Sequence, residues 1–423
     1  MSLWTKSDTH RGDEPARTTI RHRRLLRRLA GLTTLLVAVP GLAFGLTAGT
    51  ASASGAGRVT MYTGTGVNSP YGIAVGQDGA LWFTNRFNDS IGRITTTGKV
   101  TNYTGSGISL PFGIVAGPDG ALWFTNPGQN SIGRITTSGI VTTYTNATID
   151  SPDEITVGPD GALWFTNLWG NSIGRITTAG VVTNYTDPSI NLPDAITVGP
   201  DGALWFTNNE SIGRITTAGV VSSFPTNGVV VSAGLVAGPD GALWFTTFNP
   251  NSSVGRITTD GVITNYFVGI GIHNPEQIVA GPDGALWFAN YGGSSFGRIT
   301  TTGVVSNYTA AGIDGPYGVT AGPDGAIWFT NVLSNEIGRI TTKVTPRITN
   351  LAPRSGTIGV SVTITGRNLS HAIGVAFNGV PATIVSDTST MIVVTVPASA
   401  TTGFVSVTTR AGIVTSKGKF TLM

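Results

Sequence analysis

Seven tryptophans, each inside an LWF or IWF triplet, stand at Trp82, Trp123, Trp164, Trp205, Trp244, Trp287 and Trp328. They are separated by 41, 41, 41, 39, 43 and 41 residues. Repetition at this period, in strand-like pieces, predicts an all-β chain folded as a seven-bladed β-propeller. A parallel β-solenoid is the alternative, but its coils are shorter. Gly is 59 of 423 residues and charged residues are 11%, which suits short strands and tight turns better than helices.

The unit around Trp123 divides into four strands: "GIVAG" (113–117), "ALWFTN" (121–126), "SIGRITT" (131–137) and "IVTTYT" (140–145). Pro118-Asp119-Gly120 makes the first turn, because Pro presets φ, Asp bonds its own backbone and Gly accepts positive φ. Trp123 and Phe124 carry the apolar area that packs one blade on the next. The first three strands occur seven times, yet the last copy (326–342) has no fourth strand after it. An orphan fourth strand, "RVTMYT" (58–63), precedes the first copy and matches "KVTNYT" (99–104). The N-terminal strand is therefore expected to complete the seventh blade within a 58–342 propeller, leaving no open edge.

The first 53 residues read as a signal peptide with a long basic leader: "IRHRRLLRRLAG" (20–31), an apolar stretch (32–49) and the small residues "ASASG" (51–55). Arg23-Arg24 before Leu25-Leu26 suggest twin-arginine export; a retained membrane anchor is the alternative. Residues 1–53 hold eight Lys/Arg and three acids, net +5, whereas the whole chain is +3; the remainder is therefore −2. No basic surface remains to argue for nucleic acid. The chain has no cysteine, so it has no disulfide framework, thiolate site or Cys nucleophile. The expected product is a secreted or cell-surface monomer without a membrane span.

From 345 to 423 the repeat gives way to short alternating runs with Gly, Asn and Pro turns, the pattern of an immunoglobulin-like β-sandwich. Pro353, Gly356, "VTITGRNL" (362–369), "VAFNGVPA" (375–382) and "VVTVPASATTG" (393–403) resemble an IPT/TIG domain.

The propeller unit, P-x-G-I-x-x-G-P-D-G-x-L-W-F-T followed by IGRITxxG, resembles the virginiamycin B lyase (streptogramin lyase) family over 58–342. The resemblance implies a seven-bladed propeller that opens a cyclic ester by elimination, using an acid/base His and Mg²⁺ held by carboxylates. In the family the His follows the Pro of the first strand in the last two blades. Here Tyr317 and Glu276 occupy those positions, and Gly315 stands where a Glu should precede the Pro. The acid that follows WFT in the family is replaced by Asn85, Asn126, Asn167, Asn208, Asn290 and Asn331, with Thr247 in the remaining blade. Beyond the leader the histidines are His273, in a loop, and His371, in the sandwich. No catalytic residue is assigned.

Aligning the first strands gives one equivalent residue per blade: Tyr71, Phe112, Asp153, Asp194, Ala233, Glu276 and Tyr317, with Glu154 beside Asp153. Around a propeller axis these form a ring at one mouth, joined by the six Asn amides and by Phe87, Trp169, Phe248 and Tyr291 from the next loop. One expectation is a ligand site for a sugar, a cell-wall component or another small extracellular molecule; the other is a solvated rim. No cofactor is expected, and Mg²⁺ or Ca²⁺ is the ion the carboxylates would suit. A metal-assisted lyase or hydrolase on the same scaffold stays open as a second function. The seven Asp-Gly turns are expected to be turns rather than calcium loops. The Gly-Arg pairs are expected to be structural, with each Arg meeting a turn acid or a neighbouring backbone.

Overall fold

A computed structural model describes residues 57–226, 230–231, 233–247, 252–266, 271–342, 346–369, 372–388, 390–409 and 412–423. The leader, Phe248 and His371 lie outside the described residues.

Seven four-stranded antiparallel sheets follow the seven repeats. Blade 2 consists of Ile114–Ala116, Leu122–Asn126, Ser131–Ile135 and Val141–Thr145. Blade 7 takes three strands from Pro316–Ala321, Ile327–Asn331 and Glu336–Ile340 and its fourth from Val59–Tyr62 at the other end of the propeller. The register is set by Val59 opposite Ile340 and Tyr62 opposite Ile337. Each first strand lies beside those of both neighbouring blades, and the seventh lies beside the first.

The blades adhere through the repeated triplet. Trp82 and Ile91 of blade 1 pack with Ile114, Leu122, Phe124 and Ile135 of blade 2, and the same set recurs around the ring. All seven tryptophans are buried. Within its own blade Trp82 stacks on Tyr103 at 5.3 Å. Tyr62, on the closing strand, stacks on Trp328 at the same separation, so the orphan strand brings its blade's missing ring with it. Gly133 of the Gly-Arg pair lies opposite Phe124, where a Cβ would come within 2.0 Å of the ring.

The turn aspartates and the arginines meet in every blade. Trp82 Nε1 donates to Asp78 Oδ1 at 3.1 Å, and Arg93 Nε donates to Asp78 Oδ2 at 2.7 Å. The other six blades repeat both bonds. Arg93 also lies 5.8 Å over Trp82. The turn Asp thus anchors the inter-blade Trp, and the Arg covers its outer side.

Residues 346–423 form the sandwich. The long strand Val380–Asp387 pairs with Met391–Thr395 and with Ala372–Phe377, linking its two layers. Alternating residues Val362, Ile364, Ile392, Val394, Val405 and Val407 fill the core with Phe377 and Phe420.

Candidate functional site

The structure brings the aromatic ring positions into contact. Blades 7, 1 and 2 supply the aromatic arc. The Tyr71 ring lies 4.8 Å from Tyr317 and 5.2 Å from Phe112, and Phe112 meets Tyr317 edge-on at 5.7 Å. Phe112 and Tyr317 are buried, while Tyr71 is half-buried. Blades 3, 4 and 6 supply Asp153, Asp194 and Glu276, between 4% and 7% exposed; blade 5 contributes the buried Ala233.

A bulge places these residues. In six-residue first strands such as Pro152–Val157 the pairing register breaks between Pro152 and Ile155, which turns the two intervening residues out of the regular ladder. The preceding blade then holds the backbone. Thr84 Oγ1 donates to the Phe112 carbonyl at 2.7 Å, Thr125 Oγ1 to Asp153 at 2.6 Å, Thr166 Oγ1 to Asp194 at 2.6 Å and Thr246 Oγ1 to Glu276 at 2.7 Å. The Thr of WFT is therefore the residue that positions the ring, a function its place in a repeated strut did not signal. Blade 6 has Ala289 instead, opposite the larger Phe296.

The six asparagines are corrected by the structure. They are at most 2% exposed, and their amides are engaged inside the protein. Asn126 Oδ1 accepts from the Ser109 amide at 2.6 Å, while its Nδ2 donates to the Gly107 carbonyl at 2.9 Å and Ser131 Oγ at 2.8 Å. Asn85, Asn167, Asn208, Asn290 and Asn331 accept in the same way from Asn68, Asp150, Asn191, His273 and Asp314. Each amide pins the loop that leads into its own blade's first strand, so it serves the scaffold and not a ligand.

Two members of the site escaped sequence reasoning. The Arg86 guanidinium lies 5.3 Å over Tyr71 and 5.1 Å over Phe112. Its signal was its place directly after WFTN, where the other blades carry no cation. Val332, at the equivalent place in blade 7, packs into the aromatic cluster with Tyr291. Burial, then the nearby charges of Tyr71, Glu276 and Asp314, push the Tyr291 hydroxyl up to about 12. Phe87 is instead 62% exposed, Trp169 is half-buried, and His273 is exposed in its loop.

The resemblance raises the question of Mg²⁺. Among the described residues no group of three or more His, Asp or Glu side chains is placed to hold a metal ion.

The sequence profile of the virginiamycin B lyase family matches residues 59–309 and 229–367. The chain belongs to the virginiamycin B lyase family. An IPT/TIG domain matches residues 346–422. Virginiamycin B lyase from Staphylococcus aureus is 36% identical over 67% of this chain and 99% of its own, with a TM-score of 0.63. A catalytically inactive histidine-to-alanine form of that enzyme with quinupristin aligns equally well. A streptogramin B lyase structure is 35% identical over 67% of this chain and 97% of its own, at a TM-score of 0.62. The comparison with curated proteins returns no match. Among the described residues no helix is long and apolar enough to cross a membrane.

Proposed function

We propose that this member of the virginiamycin B lyase family is exported and binds a small extracellular ligand, a sugar or cell-wall component, at the mouth ringed by Tyr71, Phe112, Asp153, Asp194, Glu276 and Tyr317. The observation that carries this is the division of the ring. A half-buried Tyr71 face is braced by two aromatic neighbours and Arg86, and carboxylates stand on the other blades. A flat apolar surface beside hydrogen-bond acceptors suits the alternating C–H and O–H faces of a sugar. Tyr317 and Glu276 in the positions where the resembled enzymes hold histidine favour binding over elimination, because neither supplies an imidazole near its working pKa. The order of basic, apolar and small residues in 20–55 supports export.

A glycan array probed with the protein lacking residues 1–53 tests the binding. Retention of one glycan class, lost in Tyr71→Ala, is the expected result; silence across the array counts against sugars. N-terminal sequencing of protein recovered outside the cell tests export, with a start near residue 54 expected.

A second function is favoured by 36% identity across 99% of the S. aureus enzyme: elimination on a cyclic ester. Incubation with streptogramin B and Mg²⁺, followed by mass spectrometry, separates the two. An intact ring is expected, and a linear product formed at the rate of an authentic lyase would replace the binding function.

A further inference from the structure

The residue after each ring position differs in kind between the blades. Five of these seven are Gly72, Gly113, Ala195, Gly234 and Gly318; a Cβ on Gly72, Gly234 or Gly318 would come within 2.5, 2.6 or 2.1 Å of the neighbouring first strand's backbone, so these glycines let adjacent blades approach. The other two are Glu154 of blade 3 and Gln277 of blade 6. Gln277 Nε2 donates to Glu154 Oε1 at 2.8 Å, although the residues are 123 positions apart. Blades 3 and 6 are not neighbours: two blades separate them on one side and three on the other. The bond therefore crosses the channel.

The surroundings fit this span. A Cβ on Gly113 would come within 2.7 Å of Glu154 Oε2, so the glycine leaves the carboxylate its room. The Glu154 backbone is held from both sides, its amide donating to Thr166 Oγ1 at 3.1 Å and the preceding carbonyl accepting from Thr125 Oγ1. Both side chains are half-buried.

We propose that Glu154 and Gln277 form a cross-channel tie that couples blade 3 directly to blade 6. A ligand group that competes for the Glu154 carboxylate releases blade 6 at the same time.

Hydrogen exchange of the ligand-free protein tests the tie. A bond to a charged acceptor shifts a local opening equilibrium by roughly tenfold. Glu154→Ala should speed exchange in Pro275–Ala280 by about that factor, and Gln277→Ala should do the same in Pro152–Val157. The intervening first strands Pro193–Val198 and Leu235–Ala237 should not change. Glu154→Gln, whose amide oxygen still accepts, should keep most of the protection. Changes confined to the substituted blade, or graded through blades 4 and 5, overturn the proposal. So does a Glu154→Gln protein that exchanges as fast as Glu154→Ala.

Discussion

The hydroxyl of Thr330 donates to the carbonyl of Tyr71 at 2.7 Å, joining the seventh blade to the first across 259 positions of sequence. The same hydroxyl accepts from the Gly318 amide at 2.8 Å. One buried side chain therefore serves the closure of the ring and the placement of its half-buried aromatic.

Thr330→Val keeps the shape and removes both bonds, stranding the buried Gly318 amide and the part-buried Tyr71 carbonyl. A loss of about 1–3 kcal/mol is expected, seen as a lower urea midpoint with an unchanged slope. The exposed Thr97→Val serves as control and should shift stability by less than about 0.5 kcal/mol.

Asn126→Asp asks whether the repeated amide is scaffold or ligand group. The carboxylate has no proton for the Gly107 carbonyl or for Ser131, and it brings a charge to a buried site. Thermal unfolding should reveal a loss on the order of 2–4 kcal/mol. An unchanged melting temperature would return the amide to the list of ligand groups.

Stability should fall in acid. At Asp78, Asp119, Asp160, Asp201 and Asp240 burial raises the carboxyl pKa, but bonds from the Trp and Arg of the same blade outweigh it and hold it below the ordinary value of 3.8. A carboxyl that binds its proton more weakly folded than unfolded stabilises the fold above the ordinary value and loses that contribution as pH drops below it. The melting temperature should stay level from neutral to about pH 5 and fall steeply through the ordinary aspartate range, with five blades contributing.

Alkali should act through the site itself. Tyr291 ionises at about 12 in the folded protein against 10.0 ordinarily. The unfolded chain then releases this proton first, so its contribution to stability is full below 10.0 and is lost as pH rises to about 12. Ultraviolet titration should show a late tyrosine step that is lost in Tyr291→Phe.

Much of the scaffold was legible because its chemistry is local and repeated. The Trp spacing, the Pro-Asp-Gly turns and the orphan strand at 58–63 require only a period and a strand count, and the turn acid's pairing with Arg follows from residues within one blade. Bringing Tyr71, Phe112 and Tyr317 to equivalent places likewise needed only the Pro that opens each first strand. The asparagines misled because an amide after a core strand looks the same in sequence whether it faces a ligand or its own loop; burial decides, and burial depends on how blades pack. Arg86 was hidden because a single cation in a loop has no pattern.

The sequence by itself determined how many blades this protein has, how the circle closes and where a sandwich follows, since each rests on the period and polarity of neighbouring residues. Only the tertiary structure decided which polar side chains are buried, that the WFT threonines hold the neighbouring first strands, and that Glu154 meets Gln277. Those contacts join different blades, and their distances are set by the closed circle rather than by any stretch of chain.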